Sequence, residues 1–115
     1  YATTSSAWGL PMQHDSPGHY AVIFTARIRQ LDDAYRATAA RMRELAMSEF
    51  GCHKFIAATE GETEIAVSYW NSLEQIRAWR NHPEHQHAQE RGKSTWYHEY
   101  TVEVTRIERA YSSSE

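Results

Sequence analysis

Apolar residues recur with two different periods along the chain, and their alternation predicts the order of strands and helices. From Tyr20 to Ile28 the run YAVIFTARI is rich in β-forming residues and apolar on both of its faces. This pattern predicts a strand that is covered on both sides. Residues 31–49 instead place apolar side chains three and four positions apart, which predicts a helix with one stripe against a core. Gly51 is the residue type that commonly follows the end of a helix.

The middle of the chain predicts a β-hairpin followed by two short helices. Residues 52–60 and 63–70 are β-prone runs on either side of a turn that contains Gly61. Asn71 or Ser72 is placed to cap the next helix. The pair His82-Pro83 breaks that helix, because proline suits the first position of a new one. The second short helix is expected to stop at Gly92. The apolar stripe of the first short helix consists of Leu73, Ile76 and Trp79.

A final strand is predicted from Trp96 to Tyr111, and a change of phase in its apolar pattern predicts a β-bulge near Thr105. The order of elements is then strand, helix, strand, strand, helix pair, strand. This is the βαββαβ order of the ferredoxin-like α+β class, with the second helix split. Residues 1–18 are rich in Ser, Thr, Pro and Gly and are predicted to be a flexible lead-in. The domain is predicted to span residues 19–112.

The predicted first strand is apolar on both faces, whereas the helices of a ferredoxin-like domain cover only one face of its sheet. A small domain also buries a limited share of its surface by itself. We therefore expect the sheet of a second copy to cover the other face, which predicts a homodimer in the form of a dimeric α+β barrel.

Composition narrows the range of partners. The chain has 115 residues, a formal net charge of −3 and only two lysines. Nucleic acid is not an expected partner, since phosphate binding needs clustered positive charge. No apolar run approaches the roughly 20 residues of a membrane span, so no membrane association is expected.

Cys52 is the single cysteine, which predicts no intramolecular disulfide and fits a reducing, cytoplasmic location. Four Trp and seven His suit a pocket for a flat ligand, and they equally suit a small core with solvent-facing histidines.

The segment YWNSLEQIRAWRNHPEHQHAQERGKSTWY carries a recognisable combination of tryptophans, helix breaks and histidines. The residues that form it are Trp70, Ser72-Leu73, Ile76, Ala78-Trp79, His82, His85, Ala88-Gln89, Gly92 and Trp96-Tyr97. This pattern resembles the antibiotic biosynthesis monooxygenase family, in particular the uncharacterised bacterial members of its branch related to heme-degrading monooxygenases. The similarity runs from about Tyr20 to Tyr111 and includes the closing RIERAY.

The resemblance implies a homodimer whose two sheets form a barrel, with a pocket between the sheet and the helices of each subunit. Many family members oxygenate reduced aromatic compounds without a metal or organic cofactor, and others bind heme and cleave it. The heme degraders rely on an Asn in the first strand, a Trp in the helix after the third strand and a more distant His. In this chain those positions fall at Thr25, Trp79 and Gln89. We therefore expect cofactor-independent oxygenation of a small aromatic molecule, with heme binding or heme degradation as the alternative.

Oxygenation without a cofactor needs a base, a donor that stabilises an anion and a dry aromatic pocket. His85 is the candidate base, the indole N–H of Trp79 or Trp70 is the candidate donor, and Thr25 is a further candidate catalytic residue. The residues expected to bind the substrate are Trp70, Phe24, Tyr35, Met42 and Trp96. His82 and His85 are one helical turn apart, but no third ligand is identifiable, so no metal site is expected.

A non-catalytic dimeric domain that binds a ligand in the same pocket is the alternative from a different class. The two hypotheses differ in the polar groups inside the pocket. His85 and Thr25 pointing into it beside Trp79 favours catalysis, whereas a pocket filled by aromatic side chains favours binding or a structural role.

Overall fold

The computed structural model describes residues 19–113. The predicted lead-in, residues 1–18, lies outside them. The strands are β1 (Tyr20–Ile28), β2 (Lys54–Glu60), β3 (Thr63–Trp70) and β4 (Tyr97–Arg106). The helices are α1 (Asp33–Glu49), α2 (Leu73–Arg80) and α3 (Pro83–Arg91), and a π-helical turn, Gly92–Trp96, joins α3 to β4. This order confirms the predicted α+β class with a split second helix. In the described part of the chain, no helix is long and apolar enough to cross a membrane.

The four strands form one antiparallel sheet in the order β2-β3-β1-β4. β1 is therefore central and paired on both sides, which explains its nearly continuous apolar run. Side chains alternate along a strand. Val22 and Phe24 accordingly project toward the helices, where they line a cavity together with helix residues. Ile23 and Thr25 project from the opposite face. On that face Ile56 and Ile65 are exposed, so the helices leave it uncovered.

Each helix begins at a residue whose side chain accepts a backbone N–H. Asp32 accepts from Tyr35, Ser72 from Gln75, and the His82 imidazole Nδ1 from Glu84. Of the two predicted caps for α2, Ser72 is the one that caps it. Such caps satisfy donors that the first helical turn cannot pair internally. The break between α2 and α3 therefore follows from local sequence, and it turns α3 back toward α1.

The predicted end of α3 at Gly92 is confirmed, whereas two predictions for the C-terminal strand are wrong. α3 ends at Arg91 with Gly92 as its C-cap residue, and Gly92 keeps helical backbone angles (φ −59°, ψ −48°), so that the chain continues as the π-helical turn to Trp96. A Cβ at Gly92 would lie 3.1 Å from the Tyr97 ring, so close packing is what glycine provides here. The register shifts where Arg27 pairs with Glu99 and Ile28 with Tyr97, whereas Thr105 pairs regularly with Ala21. The predicted bulge near Thr105 is therefore wrong, and the strand ends at Arg106 instead of Tyr111.

Two groups of buried residues hold the helices on the sheet. The larger group joins β1, α1, β3 and α2 and centres on Trp70 and Leu45, which are 0% and 1% exposed. The smaller group consists of Ala26, Trp96 and Tyr97, with Phe24, Tyr35 and Tyr100 packed against it. The space between the two groups is where the candidate site lies.

Gly51 and Gly61 allow a test of the turns at the two ends of β2. Both have positive φ, +89° and +61°, a region that other residues enter at a cost. An alanine Cβ at Gly51 would also clash with the side-chain amide of Gln75, and Gln75 accepts the Asn71 N–H, so this contact would be disturbed. We expect Gly51→Ala to lower the free energy of unfolding by about 2 kcal/mol and Gly61→Ala by about 1 kcal/mol in urea denaturation. Equal losses would contradict the assignment of Gly51 as a crowded position.

Candidate functional site

A cavity of about 170 Å³ lies between the helix-facing side of the sheet and helices α1 and α3. The space exists because several of the residues that meet there have small side chains. They are Ala39 on α1, Ala57 on β2, Ala66 on β3 and Ala88 on α3. Larger side chains at these positions would fill the interior, as close packing normally requires. A cavity lined mostly by apolar groups with a few polar ones is the usual form of a small-molecule site.

Aromatic side chains form one end of this cavity. Phe24 packs against Tyr97 with ring centroids 5.5 Å apart, and Tyr35 meets Trp96 edge-on at 5.2 Å. Of the residues predicted to bind the substrate, Phe24, Tyr35, Met42 and Trp96 line the cavity. Trp96 is fixed by the hydrogen bond that its indole N–H donates to Asp32 at 3.2 Å.

His85 reaches the other end of the cavity from α3. Its imidazole packs edge-on against Trp79 with ring centroids 4.4 Å apart. Its Nδ1 atom is buried and has no hydrogen-bond partner among the described residues. Burial first, and then the positive charges of Arg80 and His82, lower the pKa of His85 to about 4. The imidazole is therefore neutral at pH 7, and its Nδ1 has no partner within the described part of the fold.

Arg80, at the end of α2, lines the cavity beside His85. Its Nε atom is also buried without a hydrogen-bond partner in the described part of the chain. Its positive charge is the second cause, after burial, that lowers the pKa of His85. A neutral imidazole next to a guanidinium can receive a proton while the guanidinium stabilises the anion left behind. Sequence reasoning missed Arg80, although its place directly after Trp79 on a helix end was a signal for it.

The two tryptophans do not have the roles that the donor hypothesis required. The indole N–H of Trp79 donates to the Met42 carbonyl at 3.3 Å, and that of Trp70 donates to Ser68 Oγ at 2.8 Å. Both donors are therefore already used within the fold. Trp79 lines the cavity, but Trp70 does not. Trp70 is fully buried and packs against Trp79 with ring centroids 5.1 Å apart, so it supports the wall from behind.

Thr25 is not brought to the cavity. It pairs with Ile65 on β3 and Thr101 on β4, and it lies between two residues, Phe24 and Ala26, that face the helices. Strand alternation therefore places its hydroxyl on the uncovered face of the sheet. Gln89, which stands at the position of the histidine of heme degraders, does line the cavity. The predicted convergence at Trp79 thus holds for His85 and fails for Thr25.

Glu64 is a polar cavity residue that sequence reasoning missed. It is 9% exposed and accepts a hydrogen bond from the Thr59 hydroxyl across the β2–β3 pair. The pKa of Tyr35 is raised, mainly by burial and further by the nearby Glu64 carboxyl group. Burial, the Tyr35 hydroxyl and Glu64 together raise the pKa of Tyr97 well above its usual value. The paired register places Glu64 opposite Ala26, on the face of the sheet that meets the helices.

The two histidines on either side of His85 in the sequence, His82 and His87, do not line the cavity. His82 caps α3, and His87 is exposed. Across residues 19–113, no three of the His, Cys, Asp and Glu side chains converge on a position where they could hold a metal ion.

Comparison with known proteins agrees with this architecture. The model of the family described as antibiotic biosynthesis monooxygenase matches residues 20–91, more than half of the chain. The uncharacterised protein YqjZ of Bacillus subtilis is 42% identical over 94 residues, which cover 81% of this chain and 82% of YqjZ.

Two solved structures share the fold at low sequence identity. Rv0793 from Mycobacterium tuberculosis superposes with a TM-score of 0.70 at 20% identity, covering 84% of this chain and 100% of that one. A point mutant of SnoaB, a cofactor-independent oxygenase from Streptomyces nogalater, superposes with a TM-score of 0.69 at 8% identity, covering 82% of this chain and 97% of that one. From the family match and the fold together, the chain belongs to the antibiotic biosynthesis monooxygenase family.

Proposed function

We propose that the protein is a monooxygenase that oxidises a small phenolic aromatic molecule with O₂, without an organic cofactor. The observation that carries the proposal is the neutral His85 imidazole, which lines an aromatic cavity next to Arg80 and whose buried Nδ1 has no hydrogen-bond partner among the described residues. A ligand-binding domain without catalysis has no evident need for a buried base with a free ring nitrogen. The family membership and the likeness to a cofactor-independent oxygenase support the same reaction class.

The proposed reaction begins with transfer of the phenolic proton to the neutral imidazole of His85. The resulting phenolate lies beside Arg80, whose positive charge stabilises it. This electron-rich ring is oxidised by O₂: one oxygen atom becomes a new ring carbonyl and the other leaves as water. For phenol itself, C₆H₆O and O₂ give benzoquinone, C₆H₄O₂, and H₂O, so O₂ is the only oxidant needed.

The low pKa of His85 bears on this step. An imidazole of pKa about 4 is a weak base toward a free phenol, whose pKa is about 10. A phenolate formed in contact with the ring raises the pKa of His85, because an opposite charge favours the imidazolium. Arg80 lowers the pKa of the bound phenol by the same kind of interaction. The proton transfer therefore depends on both groups, and Arg80 is the residue that makes a weak base sufficient.

The size of the cavity favours a single-ring substrate. Apolar cavities of about 150 Å³ accept benzene, and drug-sized ligands occupy about 300 Å³ or more. The cavity of about 170 Å³ lies near the first of these values. A porphyrin does not fit this volume, and Gln89 stands where heme degraders have their histidine. We therefore favour a small aromatic substrate over heme.

We further propose that the protein is a homodimer through the uncovered face of the sheet. Ile56 and Ile65 are 47% and 42% exposed on that face, and Val67, which pairs with both Ile56 and Ile23, lies on the same face. A contiguous apolar surface on a sheet is costly to leave in water, and a second copy of the sheet is self-complementary to it.

Oxygen incorporation tests the proposed activity. Phenol, catechol and hydroquinone are incubated with the protein under ¹⁸O₂, and the products are examined by mass spectrometry. We expect at least one of them to give a quinone product carrying one ¹⁸O atom, faster than in protein-free buffer. His85→Ala should reduce this rate about 100-fold, the usual contribution of a general base. His87→Ala removes an exposed histidine of the same helix and should leave the rate unchanged. If none of the three compounds is oxygenated, the proposal is contradicted.

A further inference from the structure

The cavity has a second polar centre, which the proposed reaction does not use. It consists of the Glu64 carboxyl group and the hydroxyls of Tyr35 and Tyr97, and all three residues line the cavity. Glu64 is almost completely buried. Within residues 19–113, no Arg, Lys or His lies within ion-pairing distance of it. A buried carboxyl group without a cationic partner is costly unless hydrogen-bond donors surround it.

The donors around Glu64 leave part of its capacity unused. A carboxylate can accept about four hydrogen bonds. Thr59 supplies one, and the Tyr35 hydroxyl, whose pKa the nearby Glu64 carboxyl group raises, is a potential second donor. Both tyrosines have raised pKa values and therefore remain protonated donors at neutral pH. An additional donor from a ligand in the cavity would satisfy the remaining lone pairs.

This centre lies at the opposite end of the cavity from His85. Glu64 precedes Ser68 on β3 by four residues, roughly 13 Å along a strand. Ser68 pairs with Phe55, whose ring meets that of Trp79 at 6.4 Å, and Trp79 in turn contacts His85. His85 therefore lies near Ser68, whereas Glu64 lies four residues away from Ser68 along β3, at the other end of the cavity. The side chains between them, Ala57 and Ala66, are small and leave the path open.

We propose that Glu64, with the Tyr35 and Tyr97 hydroxyls beside it, binds a hydrogen-bond-donating substituent, such as a second hydroxyl, on the end of the aromatic ligand remote from His85. The inference rests on the proposed function, in which the reacting hydroxyl lies at His85. It makes Glu64 a specificity-determining residue: it selects rings that carry a donor at both ends and discriminates against rings that carry only one.

Calorimetric titration under anaerobic conditions tests this site with two single-ring probes. Hydroquinone has two donors, and 4-methoxyphenol has the same ring with only one. We expect hydroquinone to bind about tenfold more tightly to the wild-type protein, since one hydrogen bond to a charged acceptor has about that effect. The ratio does not depend on which way 4-methoxyphenol enters, because it can satisfy only one end at a time.

Variants of Glu64 test whether this residue causes the difference in affinity between the two probes. Glu64→Leu should bring the ratio of the two affinities close to one without weakening 4-methoxyphenol. Glu64→Gln keeps a neutral acceptor of the same shape and should retain a ratio of about threefold, which also guards against a folding defect in the leucine variant. Glu62→Leu alters an exposed hairpin carboxylate nearby and should keep the wild-type ratio.

The outcomes separate this inference from the proposed function. Equal affinities for the two probes in the wild-type protein would overturn the role of Glu64 while leaving a phenol site at His85 intact. A wild-type ratio that Glu64→Leu does not change would likewise overturn it. No binding of either probe, together with no ¹⁸O incorporation, would overturn both proposals.

Discussion

Replacement of Trp70 by alanine is expected to lower the free energy of unfolding by about 4 kcal/mol, within the range seen when a buried large aromatic residue is truncated. Trp70 has no exposed surface, packs on Trp79 at 5.1 Å and donates its indole N–H to Ser68. Its loss therefore creates a cavity and leaves the buried Ser68 hydroxyl without this donor. Because small domains are typically stable by about 5–15 kcal/mol, this variant is expected to be close to the limit of folding.

Urea denaturation followed by circular dichroism measures this loss at a fixed protein concentration, since association would add to the apparent stability. Leu73→Ala is the matched control, because Leu73 is a large apolar residue that is 44% exposed, and its loss is expected to be under about 1 kcal/mol. Trp70→Phe should lower the free energy of unfolding by about 2 kcal/mol, which is between the losses expected for the other two variants. This loss can still be measured if the alanine variant does not fold. A Trp70→Ala loss no greater than that of Leu73→Ala would refute the buried position of Trp70.

Stability is expected to fall as the pH is lowered from 7 to 4, because His85 is neutral in the folded protein. The pKa of His85 is lowered to about 4 by burial and by Arg80, whereas an unfolded histidine has a pKa of about 6.5. Between these values the unfolded chain binds the extra proton, so lower pH favours unfolding. The stabilisation is complete above about pH 6.5 and is lost as the pH approaches 4. The contribution is about 3 kcal/mol.

His85→Leu isolates this contribution from those of the carboxylates, since it keeps the side chain apolar and of similar size. Its unfolding free energy should decrease between pH 7 and pH 4 by about 3 kcal/mol less than that of the wild-type protein. His87→Leu, at an exposed position on the same helix, should retain the wild-type pH dependence. Parallel pH profiles for the wild-type protein and His85→Leu would mean that His85 is not held in a desolvated site.

The sequence predicted the elements well because each depends on local signals. The strand Thr63–Trp70 was predicted with its observed bounds, and the break at His82-Pro83 and the cap at Ser72 follow from residues that act within one turn. Predictions failed where a distant contact decided the conformation. The bulge in β4 was misplaced because its position depends on pairing with β1.

The residues of the candidate site likewise divide into those that the sequence identified and those that only the tertiary structure reveals. His85 could be selected from its helical position, and the aromatic residues Phe24, Tyr35 and Trp96 from their type. Thr25 was misassigned because a buried central strand is apolar on both faces, so its sequence does not show which face meets the helices. Glu64 was missed for the same reason, since one step of register moves a side chain to the other side of the sheet.

By itself, the sequence determined the family, the order of the elements and the helix that carries His85, since these depend on short-range patterns and on a recognisable segment from Trp70 to Tyr97. Only the tertiary structure decided which polar groups share the cavity. It brought Arg80 beside His85, placed Glu64 at the opposite end and turned Thr25 away, and it showed that both candidate indole donors are already bonded. The physical reason is that side-chain convergence depends on strand register and helix packing, which join residues distant in the chain.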